Sequence, residues 1–216
     1  SKTEPKVYTR PQLSLVRKSD KWTETATRLL NDSQTTDGYA LVFGVGTGRL
    51  AEELMRQSKL FVIGVDPDAE KIARLRAQFH RAGAYGHRIS LHVGQPSSFS
   101  LPPFCANLVV SEDPASLGLI DVKLAQAIAR SLRPYGGTAY LPKAKADQLE
   151  KALVKATLPG LTLRNSGNFI SLTRAGSLPG ADNWSHAGAN AANTGASEDH
   201  FLKGPLGILW FDGSVR

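Results

Sequence analysis

Cysteine is nearly absent from this chain: Cys105 is the only one. A single cysteine excludes an internal disulfide, and this favours a reducing, cytoplasmic compartment. Long apolar runs are missing too, since no stretch approaches the roughly 20 residues that a membrane helix needs. The N-terminal SKTEPKVYTR lacks the apolar core of a signal peptide. Because the chain does not begin with Met, we expect an excised piece of a longer protein, and a lost signal peptide stays open.

Motifs for metal binding and nucleophilic catalysis are also missing. Neither Gly-x-Ser-x-Gly nor the phosphate-cradling G-x-x-x-x-G-K-[ST] occurs. Cys105 is interpreted as a buried small residue. His92 lies opposite the apolar positions of a predicted strand and is interpreted as a packed or surface histidine and not as a ligand. None of the five histidines has metal-ligand spacing to Cys105 or to the carboxylates; they are His80, His87, His92, His186 and His200. We therefore expect no metal site.

The charge is strongly positive, with a net value of +7, and hydrophobic residues make up 41% of the chain. That apolar share is enough for one packed core. Most lysines and arginines lie at helical spacing, as in EKIARLRAQFHRAG, and no basic run is interleaved with aromatics. This pattern favours a solvated helix face over a nucleic-acid surface, although nucleic acid stays open as a partner. No membrane partner is expected.

Strand-like and helix-like patterns alternate from Tyr39 to Leu158. Such alternation predicts an α/β fold, with a mostly parallel sheet and helices on both faces. Two more strands flank a turn at 165–168, which indicates an antiparallel edge. The predicted strands are YALVF, KLFVIGV, RISLHV, ANLVVS and GGTAYL, and the predicted helices cover 49–57, 68–81, 121–132 and 144–157.

The sequence divides into three parts by composition. Residues 1–37 are a polar lead-in with a short helix predicted at 21–30, and 38–175 form the alternating domain. Residues 176–216 are rich in Gly, Ala, Asn and Ser up to His200, so they offer little apolar area to offset the entropy of ordering. We expect this tail to contribute little to the core.

Three alternating glycines follow the first predicted strand, in LVFGVGTGRL. A strand, a glycine turn and a helix let a nucleotide-like ligand approach the backbone and the unpaired N–H groups at the helix start. Asp66 ends the second predicted strand, 22 residues after Gly44, where a carboxylate can accept both ribose hydroxyls. The dinucleotide fingerprint G-x-G-x-x-G is not matched, because Arg49 stands at its third glycine. A nicotinamide cofactor remains a weaker alternative.

The segments LVFGVGTGRLAEEL, VIGVDPDAEKIARLR and ARSLRPYGGTAYL resemble class I S-adenosylmethionine-dependent methyltransferases over residues 39–174. The resemblance implies a Rossmann-like, seven-stranded sheet with an antiparallel last strand, and S-adenosylmethionine as cofactor. The resemblance places the glycine turn against the methionine and ribose of the cofactor, and Asp66 and Pro67 at the ribose. It places Gln95 and Pro96 at the adenine, and Ser111 and Glu112 at the reacting end. The turn residues are Gly44, Val45, Gly46, Thr47 and Gly48.

Three positions depart from the pattern of this family. Val42 stands where an acid is usual, Gln95 replaces the acid beside the adenine, and Asn107 stands where Asp is common. No catalytic residue can be assigned, since methyl transfer requires mainly alignment. Glu112 and Asp113 are interpreted as bases, as ligands of a cationic acceptor, or as solvated loop acids. The acceptor is unknown, and a non-catalytic cofactor-binding sensor or scaffold is the alternative function.

The tail has a resemblance of its own. WSHAGANAANTG, beginning at Trp184, and GPLGILWFDG, with Trp210, resemble the opening of a quinoprotein-like β-propeller of the pyrroloquinoline-quinone type. This implies a multidomain protein in which the methyltransferase-like domain precedes a propeller. The remaining blades would then be its partner in the parent protein, because propeller blades stabilise one another.

Overall fold

The computed structural model of the protein describes residues 19–182, 185–186, 191–195 and 199–200. The chain divides into two units, Ser1–Gly176 and Ser177–Arg216. The described elements of the first unit are α1 (Lys21–Ser33), β1 (Tyr39–Phe43), α2 (Arg49–Gln57), β2 (Phe61–Asp66), α3 (Ala69–Arg81), β3 (Ile89–Val93), β4 (Ala106–Val110), α4 (Val122–Ser131), β5 (Gly137–Pro142), a 3-10 turn (Lys143–Lys145), α5 (Ala146–Ala156), β6 (Leu161–Ser166) and β7 (Phe169–Arg174).

The seven strands form one sheet in the order β3-β2-β1-β4-β5-β7-β6. Strands β1 to β5 pair in parallel, and β7 lies antiparallel between β5 and β6. The predicted seven-stranded sheet with an antiparallel last strand is confirmed. The strand order reverses at β1, which lies between β2 and β4, so a crevice opens above the carboxyl end of β1.

Apolar side chains cover both faces of the sheet because residues alternate along each strand. Ala40 and Val42 of β1 join the cluster that includes α1, α2 and α3, whereas Leu41 and Phe43 join the cluster that includes α4 and α5. Helix α1 is part of this core and not only a lead-in, since its buried residues pack in the first cluster. They are Ala26, Leu29 and Leu30.

Helix boundaries shift slightly from the sequence prediction, for reasons of capping. Asp68 and Asp121 were predicted as first helical residues but are N-caps, whose side chains accept from the Lys71 and Leu124 amides. The helix predicted from residue 144 begins as the 3-10 turn. Helix α1 runs past the predicted end at Leu30 and stops where Gln34 adopts a left-handed conformation.

Few residues of the second unit are described. The Ala181 amide donates to the Leu178 carbonyl at 2.9 Å, and the His200 amide donates to the Gly180 carbonyl at 2.8 Å. Trp184 and Trp210, on which the propeller resemblance depends, lie outside the described residues. Among the described residues, every helix is too short or too polar to cross a bilayer.

Candidate functional site: the glycine turn above β1

The glycine turn, residues 44–48, leaves β1 and leads into α2. Gly44, Gly46 and Gly48 have φ values of +72°, +52° and +83°, a region that strains residues with a Cβ. Gly48 is the N-cap of α2 and provides no side-chain hydrogen bond to the helix amides. The sequence therefore needs glycine here for backbone conformation alone, before any ligand is considered.

The closest approach to these glycines comes from the chain itself. A Cβ on Gly46 would lie 2.8 Å from Cγ and 2.9 Å from Cδ of Glu112, and one on Gly48 would lie 2.9 Å from Leu75. A Cβ on Gly44 would meet Ser116 and the Asp113 carbonyl. Sequence reasoning attributed the missing side chains to a ligand, but protein contacts already require their absence.

Glu112 follows β4 and turns inward to the start of α2. Its buried carboxylate accepts from the Thr47 amide at 2.7 Å, the Thr47 hydroxyl at 2.5 Å and the Leu50 amide at 2.8 Å. Burial raises the pKa of Glu112, while these hydrogen bonds act in the opposite direction. Glu112 thus brings a carboxylate to the turn, which the apolar, fully buried Val42 does not. Sequence reasoning placed Glu112 at the reacting end and missed this capping role.

Asp66, at the end of β2, is fully buried beside the same turn. One carboxylate oxygen accepts from the Val45 amide at 3.0 Å, and the other accepts from the Asp68 amide at 3.0 Å. The Lys71 ammonium donates to both oxygens, at 3.0 and 3.1 Å. The expected ribose acid and the glycine turn are therefore directly hydrogen-bonded to each other.

Lys71 is the site residue that sequence reasoning missed. Its side chain is 18% exposed, and its ammonium also lies 3.8 Å from the carboxylate of Asp113, which is 37% exposed. Asp66 ends β2 and Asp113 follows β4, so the ammonium lies between loops from the two strands that flank β1. The signal in the sequence was a cation in the first turn of the helix that follows Asp66, where it can reach back to the strand end.

Ser111 brings to the site a hydroxyl that no other described group binds. Its hydroxyl is buried and has no hydrogen-bond partner among the described residues. This oxygen lies 3.2 Å from the position of a Cβ on Gly44, hence at the turn. A buried hydroxyl without a partner costs free energy, so it fits a polar ligand group at the turn.

The expected adenine residues lie on the connection after β3. The Gly94 amide donates to the Asp66 carbonyl at 3.0 Å, which holds this connection beside the turn. Gln95 is exposed and Pro67 half-buried, whereas buried Pro96 lines a cavity of about 340 Å³ together with Phe43 and Phe99. The structure thus brings the predicted cofactor residues to one edge of the sheet. Within the described part of the chain, no three His, Cys, Asp or Glu residues cluster as metal ligands.

Comparison with known families connects this architecture to a class of proteins. Residues 40–136 match the family model of a methyltransferase domain. That segment begins in β1 and includes the glycine turn, Asp66 and Glu112. The first unit therefore has a Rossmann-like methyltransferase fold, and the segment that contains its site is similar to a methyltransferase domain. A search of curated proteins gives no match to the sequence.

Solved structures share the fold at low sequence identity. A putative S-adenosylmethionine-dependent methyltransferase from Methanococcus maripaludis superimposes with a TM-score of 0.62 at 14% identity, covering 73% of this chain and 85% of that one. The [4+2]-cyclase SpnF gives 0.54 at 16% identity, over 66% and 59%. Phosphoethanolamine N-methyltransferase 2 from Haemonchus contortus, in complex with phosphomonomethylethanolamine and S-adenosylhomocysteine, gives 0.52 at 21% identity, over 66% of this chain and only 38% of that one.

Proposed function

We propose that the first unit binds S-adenosylmethionine at the glycine turn and transfers its methyl group to an acceptor that is not yet identified. The observation that carries the proposal is the buried Asp66 carboxylate, hydrogen-bonded to the Val45 amide of the turn. A buried acid fixed beside a glycine turn can hold ribose hydroxyls while the cofactor lies on the backbone. The match to a methyltransferase domain supports this assignment.

Different residues around the turn would contact different parts of the cofactor. Asp66 would accept the ribose hydroxyls, and the exposed Gln95 amide and Pro96 would border the adenine. The unpartnered Ser111 hydroxyl fits the methionine end. When bound, the cofactor supplies an electrophilic methyl group on its sulfonium. The protein's part is then alignment, with the partly exposed Asp113 beside the crevice as the acid that would contact an acceptor.

A non-catalytic cofactor-binding sensor or scaffold is the second candidate. It is favoured by the fact that the chain's own groups already engage the site: Lys71 binds Asp66, and Glu112 binds the amides at the start of α2. A nicotinamide-dependent oxidoreductase has weaker support. Arg49, at the third position of the dinucleotide fingerprint, is held by Asp20, Glu52 and Glu53 in a network that joins α1 to α2.

We also propose that the second unit comes from a quinoprotein-like β-propeller of a larger protein. Its support is the sequence from Trp184 to Trp210 alone. The other blades would be its partner in the parent protein, and a fragment of one blade binds no quinone by itself.

Two measurements test the proposed function. Calorimetric titration with S-adenosylmethionine, S-adenosylhomocysteine and NAD should give binding of the first two and none of NAD. Transfer of a radiolabelled methyl group to small-molecule, protein and nucleic-acid acceptors then separates enzyme from sensor. Binding without transfer to any acceptor class would favour the sensor, and binding of NAD alone would contradict the proposal.

A further inference from the structure

We propose that Lys71 closes the cofactor crevice of the free protein, and that a bound ribose displaces its ammonium from Asp66 toward Asp113. This inference rests on the proposed function, because it concerns the same crevice. Lys71 would thereby set the affinity for the cofactor without contacting the reacting atoms. It acts as a positioning residue and not as a catalytic one.

Asp66 has no acceptor site to spare for a ligand. An ionised carboxylate offers about four lone-pair sites on its two oxygens. Asp66 already accepts from the Val45 amide, from the Asp68 amide and from Lys71 at both oxygens. The two amides belong to the backbone of the turns and cannot leave without disrupting them. Two ribose hydroxyls can therefore reach Asp66 only if the ammonium gives up its contacts.

The Lys71 ammonium lies between the loops that follow β2 and β4. The sheet order places β1 between β2 and β4. Lys71 contacts Asp66 at the end of β2 and lies 3.8 Å from Asp113 in the loop after β4. Asp113 also donates its backbone amide to the Gly44 carbonyl at 3.0 Å, which fixes this loop to the turn. The ammonium therefore sits in the crevice where a ligand on the glycine turn would lie.

The Lys71 ammonium has a second carboxylate partner nearby, which is Asp113. A lysine on a flexible stem can rotate from one carboxylate to another at small cost, because its three donors are not fixed in a plane. Asp113 is 37% exposed, so its carboxylate can accept the ammonium without further burial of charge. Asp113 stabilises Lys71 more when the ammonium is displaced than when it is bound to Asp66. Removing Asp113 should therefore weaken cofactor binding.

The test is a calorimetric titration with S-adenosylhomocysteine, which binds without turnover. Four chains are compared: the parent, Lys71→Met, Asp113→Asn and the double variant. Lys155→Met is the matched control, since Lys155 is exposed on α5. We expect Lys71→Met to lower Kd about tenfold or more, because it removes the closed population that competes with the ligand. Asp113→Asn should raise Kd in the parent and leave it unchanged in the Lys71→Met background.

Salt provides an independent readout. Raising the ionic strength from about 0.05 M to about 0.5 M should raise Kd for the parent and leave that of Lys71→Met nearly constant, because salt screens the exposed pair of the displaced Lys71 with Asp113 more than the buried pair with Asp66. Equal affinities of all four chains, or weaker binding by Lys71→Met, would overturn the role of Lys71 while the proposed function stands. Failure of both the parent and Lys71→Met to bind S-adenosylhomocysteine would overturn both proposals.

Discussion

At the scale of single residues, Gly46 combines two requirements that can be measured separately. Its φ is +52°, and a Cβ there would meet the Glu112 side chain within 2.9 Å. Gly86 has a φ of +84° but nothing within 4 Å of its Cβ position. Alanine at either position carries the cost of a positive φ. The difference in stability lost between the two alanine variants therefore isolates the contact with Glu112.

Gly46→Ala should therefore destabilise the protein more than Gly86→Ala. The left-handed conformation costs about 1–2 kcal/mol at either position. Gly46→Ala should add to this the cost of moving Glu112 away from the Thr47 and Leu50 amides, as measured by the free energy of unfolding in urea. Equal losses for the two variants would show that the Glu112 contact does not constrain Gly46.

Tyr140 makes the free energy of unfolding decrease at alkaline pH. It is buried in β5, and burial raises its pKa from 10.0 to about 12. The unfolded chain therefore releases this proton first, so stability falls as pH rises above 10 and stops falling above about 12. The loss from this one group is about 1.4 kcal/mol near pH 11.

Tyr140→Phe should remove that part of the alkaline loss. The free energy of unfolding, followed from about pH 9 to about pH 11, should fall less steeply for Tyr140→Phe than for the parent. Tyr135→Phe is the control, because Tyr135 is 69% exposed. Parallel curves for the parent and Tyr140→Phe would mean that Tyr140 ionises as readily in the folded as in the unfolded chain.

At the scale of elements, alternation and capping explain what the sequence could predict. Strands β1 and β5 are almost fully buried and read as continuous apolar runs, whereas β3 is half-buried and was located by apolar alternation. The ends were less predictable, since Asp68 and Asp121 act through cap geometry and not through periodicity. The role of α1 in the core depends on contacts with α2 that are distant in sequence, so the polar surroundings of the helix concealed it.

At the candidate site too, local sequence predicted some residues and not others. Asp66 and the glycines were found because their spacing follows from one strand-turn-helix unit and the next strand. Glu112 was not understood because it acts across the sheet order, from the end of β4 to α2. The contact of Lys71 with Asp66 joins residues five positions apart and was readable from the sequence, whereas the approach of Lys71 to Asp113 also crosses the sheet order. Such contacts are set by which strands lie side by side, and local sequence does not contain that information.

At the scale of the whole molecule, the first unit contains every described strand and helix. We expect truncation after Gly176 to leave a chain that folds and binds S-adenosylhomocysteine like the full chain. The cut retains the hydrogen bond from the Tyr135 amide to the Gly176 carbonyl at 3.1 Å. Thermal unfolding and titration measure both properties. A truncated chain that does not fold, or that folds but loses the ligand, would place the tail in the functional domain.

A cofactor that lies on the glycine turn against Asp66 should bind more weakly when Asp66 is replaced, which titration of Asp66→Asn with S-adenosylhomocysteine measures. Asn retains an acceptor for the Val45 amide but loses the charge and an acceptor for the ribose. The comparison is made in the Lys71→Met background, which serves as the parent here, so that release of the Lys71 ammonium does not offset the loss. Asp68→Asn is the matched control, since Asn caps α3 as well as Asp does. Hydrogen bonds to a charged group contribute about 1.5–3 kcal/mol each, so we predict a loss of affinity of about tenfold or more for Asp66→Asn, with Asp68→Asn unchanged. A folded Asp66→Asn variant with the affinity of the parent would show that the cofactor does not lie against Asp66.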